Sequence, residues 1–433
     1  EYAHQRVPIG NPPFRPQPFD WQSMTHSSTN PAAVGWRTPL VIIVAGCLIS
    51  TLGFGLRSVF GLFLEPMTID QGWNRETFSL ALAIQNLLWG AGVPIAGALA
   101  DRFGPSRVIA LGALVYGIGV YGMAEAETGL MLHLFAGVIT GLGVAFTAFS
   151  IAMAAMARVV GPSRRSLALG LGTAAGSFGQ VLFSPLAQGW IEAFGWHDAL
   201  LILAVTAGLI IPLAFILPND TSVQGEPAND QGLVEALREA LAHRGYVLLT
   251  IGFFVCGFHV AFITVHFPAY VKDLGLDASV GAYAIALIGL FNIAGSFLSG
   301  AYGQRWSKKS GLSSIYFLRA IIITALLFAP KTETTIYLFA AAMGVLWLST
   351  VPLTTGIVAQ VFGVRYMATL FGIVFFSHQL GSFLGVWLGG FLYDRTGSYD
   401  AIWWAGVILG LAAAIIHLPI NERPLPRLAG ATG

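Results

Sequence analysis

The feature that most constrains this chain is a succession of long apolar runs, each about the length that crosses a lipid bilayer. A hydrocarbon core about 30 Å thick requires about 20 apolar helical residues. Such runs fill almost all of the sequence after residue 38, and short polar turns separate them. A helix satisfies its own backbone hydrogen bonds within hydrocarbon. The chain is therefore predicted to be an all-α membrane protein with no room for a separate soluble domain.

Twelve transmembrane helices are predicted, arranged as two pseudo-symmetric six-helix bundles. The runs of the first half cover residues 39–64, 77–100, 106–124, 129–157, 165–191 and 198–217. The runs of the second half cover residues 246–270, 279–302, 311–329, 334–361, 366–392 and 400–419.

The predicted bundles occupy residues 38–217 and 245–420, and a polar linker joins them at residues 218–244. Residues 1–37 are rich in Pro, Ser, Thr and Asn and are expected to form a disordered tail. They lack the apolar core of a signal peptide. Because the sequence opens on glutamate, its native start is expected to lie outside it. Residues 421–433 form a second tail.

Composition excludes several classes of protein. Only 10% of the residues are charged and 55% are hydrophobic, whereas a soluble globular chain carries about 25% charge. A net charge of +1 provides no field that would attract nucleic acid. Cys47 and Cys256 lie in apolar runs and are interpreted as packed thiols, and no Cys/His cluster has zinc spacing. Since no P-loop, HExxH or nucleophile motif is visible, we expect neither an enzyme nor a cofactor.

The basic residues between the runs fall mainly on one side of the predicted membrane. That side carries Arg102, Arg107, Arg158, Arg164, Arg165, Arg238, Arg244, Arg305, Lys308, Lys309, Arg365, Arg423 and Arg427. The opposite side carries only Arg75, Lys272, Lys331 and Arg395. By the positive-inside rule the first side is cytoplasmic, so both termini and the linker are predicted inside the cell. The short loops favour a multi-pass protein of a bacterial inner membrane.

An internal repeat relates the two halves at an offset of about 200 residues. Matching segments are residues 97–102 with 300–305, 165–172 with 365–372, and 195–199 with 397–401. Two halves related by an axis along the membrane normal are a transporter architecture, with the substrate site between the halves near the midplane. Transport would then proceed by rocking of one half against the other.

The loop after the second span reads Gly-Ala-Leu-Ala-Asp-Arg-Phe-Gly at residues 97–104. This run resembles the G-x-L-x-D-R-x-G signature of the major facilitator superfamily, at the place where that family carries it. The resemblance implies that its charged residues lock a cytoplasmic gate. The candidate gating residues, including those of the second half, are Asp101, Arg102, Arg107, Arg305 and Arg319. Among them Arg319, buried in span nine, is assigned a structural or gating role.

A narrower resemblance, to monocarboxylate transporters and the related oxalate–formate exchangers, covers nearly all of the chain after residue 38. Three stretches carry it: residues 53–66, 89–94 and 165–196. In that family a basic residue in span one meets the substrate carboxylate, and this position corresponds to Arg57. An aromatic residue in span two lines the cavity, and this position corresponds to Trp89.

Two further positions bear on this resemblance. In the exchanger relatives a basic residue in span eleven pairs with the one in span one, which makes His378 a second candidate anion contact. Mammalian monocarboxylate transporters carry an Asp and an Arg four residues apart in span eight, where this chain has Asn292 and Ser296. Because Asn292 cannot take up a proton, the coupling carboxylate of those relatives is absent here.

Arg57 is the most informative single residue. It lies deep within the first apolar run, and burial of an arginine costs roughly 3 kcal/mol on insertion scales. No Asp or Glu lies deep in any predicted span to pair with it. An anionic ligand is an economical partner, because arginine can hold a carboxylate through two parallel hydrogen bonds. The alternative is that Arg57 extends its side chain outward or hydrogen-bonds helix carbonyls.

Histidines are the groups in the spans that titrate near neutrality. The proton-coupling candidates are therefore His259 and His266, at i and i+7 in span seven, and His378 in span eleven. His259 and His378 are also candidates to line the cavity. The other candidate cavity residues are Asn86, Gln180, Asn292, Trp347 and Gln379. Each of these polar groups could instead be hydrogen-bonded to a neighbouring helix.

These features predict a secondary transporter that moves a small organic anion, a mono- or dicarboxylate, by alternating access. Proton symport assisted by a histidine is favoured, with anion exchange or uniport as the alternative. An efflux pump for a drug-like compound and a non-transporting receptor are rival hypotheses. The expected partners are the anion, protons and the lipid bilayer, without nucleic acid or metal, and the protein is expected to be monomeric.

Overall fold

The computed structural model describes residues 37–160, 165–219, 232–363 and 366–429, and the regular structure in these ranges is helical. Eleven segments are long and apolar enough to cross a membrane. One of them, Gly170–Ala214, is broken at Gly195, whose φ of 82° lies in the left-handed region. Counted as two, it completes the twelve predicted helices, so the predicted fold class is confirmed.

We number the membrane-spanning helices α1 to α12. In the first half they are α1 Pro39–Gln71, α2 Arg75–Phe103, α3 Pro105–Ala124, α4 Gly129–Val159, α5 at 165–194 and α6 at 196–214. In the second half they are α7 Arg244–Asp273, α8 Ala278–Arg305, α9 Lys308–Phe328, α10 Glu333–Phe362, α11 Met367–Thr396 and α12 Asp400–His417. A linker helix, Leu233–Ala242, precedes α7.

Some sequence predictions fall outside the described residues. These are the tail up to residue 36, linker residues 220–231, residues 430–433, and the loop arginines Arg164 and Arg365.

Local sequence explains where several helices begin. Thr38, Asn74, Asp277 and Ser307 each accept a hydrogen bond from a backbone N–H in the first turn of the helix that follows. Such caps satisfy donors that a helix start leaves without partners. The polar turns between the apolar runs therefore fix the helix boundaries from which the functional side chains project.

Interruptions occur at matching places in α4 and α10, in addition to the end of the first segment of α1, Pro39–Ser58. In α4 one segment ends at Phe146 and the next begins at Phe149. In α10 one segment ends at Leu346, 200 positions after Phe146, and the next begins at Thr350. The matching breaks agree with the internal repeat seen in the sequence, and they expose backbone groups at the depth where a transporter binds its substrate.

The two halves are joined by ion pairs on the membrane face that carries Arg75, here called the Arg75 face. The guanidinium of Arg75 in α2 makes two hydrogen bonds to the Asp273 carboxylate in α7, at 2.6 and 2.7 Å. It also donates to the Tyr399 hydroxyl, at 2.9 Å. Lys272 in α7 pairs with Glu65 in α1, at 3.0 Å. These bonds hold the halves together on this face.

A carboxylate from the second half also covers the start of α2. The two oxygens of Asp394 in α11 accept hydrogen bonds from the backbone N–H groups of Arg75 and Glu76, at 3.1 and 2.6 Å. At the opposite end of the described helices, the Asp101–Arg158 and Glu239–Arg427 pairs each stay within one half. The structure is therefore closed between the halves on the Arg75 face.

We predict that Arg75→Ala opens the Arg75 face. Ser79, fully buried one turn beyond Arg75, would then become accessible because the ion pair and the tyrosine contact are lost together. In detergent, with Cys47 and Cys256 replaced by serine, maleimide should label Ser79→Cys several-fold faster in the Arg75→Ala background. The matched control is Arg395→Ala, which removes an exposed arginine on the same face. Equal labelling rates in all three backgrounds would contradict the role given to Arg75.

Candidate functional site

Arg57 lies at the end of the first segment of α1, deep in the N-terminal half. Its Nη2 donates to the Asn86 side-chain oxygen, at 2.7 Å. The Asn86 amide nitrogen donates to the Leu82 carbonyl one turn earlier, at 2.8 Å, which turns the amide oxygen toward Arg57. The guanidinium carbon lies 4.2 Å from the centre of the Trp89 ring, in a cation–π contact. Two uncharged side chains of α2, Asn86 and Trp89, therefore contact the guanidinium of Arg57.

Narrow spaces flank the Arg57 side chain on two sides. The first, here called the α4 space, is lined by Ser50, Gly53, Phe54, Arg57, Trp89, Val144, Thr147, Ala148 and Phe149. The second, here called the α7 space, is lined by Arg57, Phe60, Leu82, Gln85, Asn86, Ala261, Thr264 and Val265. The α7 space lies between the two halves, and the α4 space lies within the first half.

No acidic side chain forms an ion pair with Arg57 among the residues that the structure describes. Its Nε has no hydrogen-bond partner although the atom is buried. The two side chains that contact its guanidinium, Asn86 and Trp89, carry no charge. The positive charge of Arg57 is therefore not neutralised by an ion pair within this part of the chain.

His378 lies one aromatic pair away from this cluster. The Trp89 ring meets Phe375 edge-on at 5.3 Å between centres, and Phe375 stacks on the His378 ring at 5.6 Å. His378 faces Gln379 and Ser382 with its Nδ1, at 3.4 and 3.5 Å. Aromatic contacts across the interface of α2 and α11 thus join Arg57 to the histidine that the sequence singled out.

The other two candidate histidines bond mainly to groups of the second half. Nε2 of His259 bonds to the Gly406 carbonyl in α12, at 2.8 Å. Nε2 of His266 bonds to the Val386 carbonyl at 2.8 Å, and its Nδ1 lies 3.0 Å from the Tyr399 hydroxyl. Neither residue is among those that line the two spaces beside Arg57. Spacing at i and i+7 put them on one face of α7, but His259 packs against α12 of its own half, and His266 lies between α11, Tyr399 and the Ser79 hydroxyl of α2, 3.5 Å from its Nε2.

The predicted amide residues other than Asn86 do not line the two spaces beside Arg57. Gln180 in α5 donates to the Ile285 carbonyl in α8, at 2.9 Å. Asn292 in α8 donates to the Ser177 hydroxyl, at 2.9 Å, so both pairs link the two halves. Gln379 is fully buried, and its side chain packs closely against Gly90.

Arg319 and Trp347 meet at the break in α10. The fully buried guanidinium of Arg319 donates to the Leu346 carbonyl, at 2.7 Å, and to the Trp347 carbonyl. Trp347 is itself 1% exposed. The sequence placed Asn292, Trp347 and His378 with Arg57 around one cavity; the structure brings only Asn86 and Trp89 to the spaces beside Arg57.

A match to a family model extends over most of the chain. The model described as the Major Facilitator Superfamily matches residues 44–385. The chain belongs to the major facilitator superfamily.

Relatives with names in this superfamily cover the chain almost end to end. Monocarboxylate transporter 13 of Rattus norvegicus is 26% identical over 398 residues, 86% of each chain. Monocarboxylate transporter 11 of Homo sapiens is 27% identical over 432 residues, 94% of this chain and 88% of the relative. The uncharacterized MFS-type transporter YcxA of Bacillus subtilis (strain 168) is 25% identical and covers 85% of this chain and 91% of its own length.

A solved structure shows the same fold. The crystal structure of a bacterial homologue of the human lysosomal transporter Spinster, inward-facing and occupied, superposes with a TM-score of 0.69. It is 14% identical and covers 89% of this chain and 98% of its own. At this identity the likeness supports the major facilitator fold alone.

The residues of the superfamily signature lie together on the face opposite Arg75. Asp101 pairs with Arg158 of α4 at 2.9 Å, which ties α2 to α4 within the first half. Arg102, Arg107 and Arg305 are exposed on that face. Their predicted gating role stays a prediction, with Asp101–Arg158 as the contact through which it would act.

The interruption of α4 was not predicted from the sequence. Thr147, Ala148 and Phe149 line the α4 space beside Arg57, yet the interruption itself has neither proline nor glycine. No group of three or more His, Cys, Asp or Glu residues in the described part of the chain is arranged to hold a metal ion.

We predict that Asn292→Leu destabilises the protein. Besides its bond to Ser177, the Asn292 side-chain oxygen accepts the backbone N–H of Leu348 at 2.9 Å. A buried donor left without a partner costs about 1–3 kcal/mol. The thermal midpoint in detergent should fall clearly below that of Ser296→Ala, which removes only a hydroxyl bonded to the same oxygen. Equal midpoints for the two variants would show that Asn292 does not hold the break in α10.

Proposed function

We propose that this superfamily member transports a small organic anion by alternating access and that Arg57 binds the carboxylate. The observation that carries the proposal is that Arg57 has no ion-pair partner among the described residues, borders two spaces and contacts the uncharged Asn86 and Trp89. The names of the monocarboxylate transporter relatives support the same substrate class. Transport, rather than catalysis, is the activity we assign.

The physical argument concerns the cost of a charge inside a membrane protein. A cation held away from water requires an anion or a set of strong acceptors. Asn86 supplies one neutral acceptor, and the Trp89 ring supplies the face of its π-system. A carboxylate would complete the coordination of the guanidinium, because its two oxygens match the planar arrangement of the N–H groups.

We place the Arg75 face outside the cell and both termini in the cytoplasm. The excess of basic residues on the face opposite Arg75 supports this orientation through the positive-inside rule. With the halves closed on the Arg75 face, the anion would reach Arg57 from the cytoplasm in the conformation described. The reverse movement would break the Arg75–Asp273 and Lys272–Glu65 pairs.

We further propose that His378 couples anion binding to a proton. Its connection to Arg57 through Phe375 and Trp89 supports this choice over His259 and His266, whose rings bond to backbone carbonyls of their own half. A nearby carboxylate favours the protonated imidazolium. Anion exchange or uniport, in which Arg57 alone supplies the positive charge, is the competing mechanism.

We predict that Arg57→Ala weakens anion binding about 10- to 100-fold, since hydrogen bonds to charged groups contribute about 1.5–3 kcal/mol. Binding of formate, lactate, benzoate and succinate should be measured by tryptophan fluorescence or calorimetry on purified protein. Arg57→Lys should retain part of the affinity, because it keeps the charge without the planar pair of donors. Arg395→Ala is the charge-matched control. Binding of none of the four anions to the parent, or equal binding to Arg57→Ala, would reject the proposed function.

We predict that anion affinity rises as the pH falls from about 8 to about 5. Affinity is expected to rise because protonation of His378 adds positive charge that attracts the carboxylate, so binding of either the proton or the anion strengthens binding of the other. The dependence should be lost in His378→Gln and kept in His259→Gln and His266→Gln. A flat pH profile in the parent would favour exchange or uniport, and loss of the dependence in another variant would move the coupling role to that histidine.

A further inference from the structure

The breaks in α4 and α10 are equivalent in position but not in environment. Each break exposes the first backbone N–H groups of the helix segment that follows, because those groups lack partners within the helix. Backbone groups at this depth must bond to protein, to water in a cavity or to a ligand. What fills each break therefore indicates its role.

The break in α10 is sealed by side chains. Arg319 donates to the carbonyls of Leu346 and Trp347, which end the first segment. Asn292 accepts the N–H of Leu348. A cation and an amide from neighbouring helices thus bond to two carbonyls at the end of the first segment and to the N–H of Leu348 within the break.

The break in α4 has no equivalent seal among the described residues. Its second segment, Phe149–Val159, begins without a side-chain hydrogen bond to its first turn, as does the second segment of α10, Thr350–Phe362. Residues Thr147, Ala148 and Phe149 line the α4 space together with Arg57 and Trp89. The Thr147 hydroxyl donates to the Gly143 carbonyl, at 2.8 Å, and so is already engaged in its own helix.

A second donor faces the same space. Trp89 is 6% exposed, lines the α4 space, and its indole N–H has no hydrogen-bond partner. The Nε of Arg57 is likewise buried without a partner. Donors from α1 and α2 therefore border one space together with the uncapped start of a helix segment, where the helix dipole also favours negative charge.

We propose that the start of the second segment of α4 forms the other side of the anion site. The carboxylate bridges the Arg57 guanidinium and the backbone N–H groups of Phe149 and Ser150, and the Trp89 indole N–H provides a further donor. The aromatic rings of Phe54 and Phe149 line the same space and contact the apolar part of the substrate. This inference rests on the proposed anion transport and adds the binding groups that α4 supplies.

Phe149→Pro removes one of these donors with little disturbance to the helix. Proline is favoured at the first position of a helix, where its missing N–H breaks no helical bond. The residue before a proline must be extended, and Ala148 already has φ −53° and ψ 132°. Phe149→Ala is the matched control, since it removes the same side chain but keeps the N–H.

Formate, lactate, benzoate and succinate are the probes, measured as for Arg57→Ala. Phe149→Pro should bind them about tenfold more weakly than Phe149→Ala, as expected for loss of a hydrogen bond to a charged group. The two variants should have similar thermal midpoints. Trp89→Phe, which keeps an aromatic ring and loses the indole N–H, should also bind the anions more weakly than the parent. If Phe149→Pro does not fold, the affinity of Trp89→Phe tests the inference instead.

Equal affinities in Phe149→Pro and Phe149→Ala would overturn the inference, as would unchanged affinity in Trp89→Phe when Phe149→Pro does not fold. Failure of the inference is distinguishable from failure of the proposed function. In the first case binding still depends on Arg57 but not on the α4 donors. In the second case the parent binds none of the four anions, and the proposed α4 part of the site is rejected together with the proposed function.

Discussion

A guanidinium inside a membrane protein needs partners for its charge, and the arrangement of the two halves follows from how this need is met. Arg319 is fully buried and meets it with two main-chain carbonyls at the break in α10. Arg57 is half-buried and meets it with one amide oxygen and one aromatic ring. The two arginines differ in their acceptors, since Nη2 of Arg319 bonds to backbone carbonyls and Nη2 of Arg57 bonds to a side-chain amide, while each keeps a buried Nε without a hydrogen-bond partner.

The internal repeat explains why these two environments can be compared directly. Both halves interrupt the helix that follows their third span, at Phe146 and at Leu346. In the second half, Arg319 and Asn292 occupy the interruption, and Asn292 also bonds across the interface to Ser177. In the first half the interruption faces Arg57. The equivalent interruptions thus differ in their surroundings: side chains bond to the one in the second half, and the one in the first half borders the α4 space with Arg57.

Much of the fold follows from the order of apolar runs, since each run needs only its length and hydrophobicity to form a span. Arg57 and Asn86 were also recognisable as polar groups within apolar runs, because a charge or amide there requires a partner, and Trp89 was singled out by the resemblance to monocarboxylate transporters. The positions of His259 and His266 were not, because spacing defines a helix face without naming the helices that cover it. The break in α4 gave no signal, because residues 147–149 contain no helix-breaking residue and the interruption depends on tertiary packing.

A structure with an anion bound tests the central claim most directly. A crystal of the protein with 4-bromobenzoate would place the bromine by anomalous scattering and hence fix the direction of the carboxylate. The account predicts carboxylate oxygens about 3 Å from both the Arg57 guanidinium and the Phe149 backbone nitrogen, with the bromine directed away from them. A carboxylate bound elsewhere, with Arg57 still contacting only Asn86 and Trp89, would contradict it.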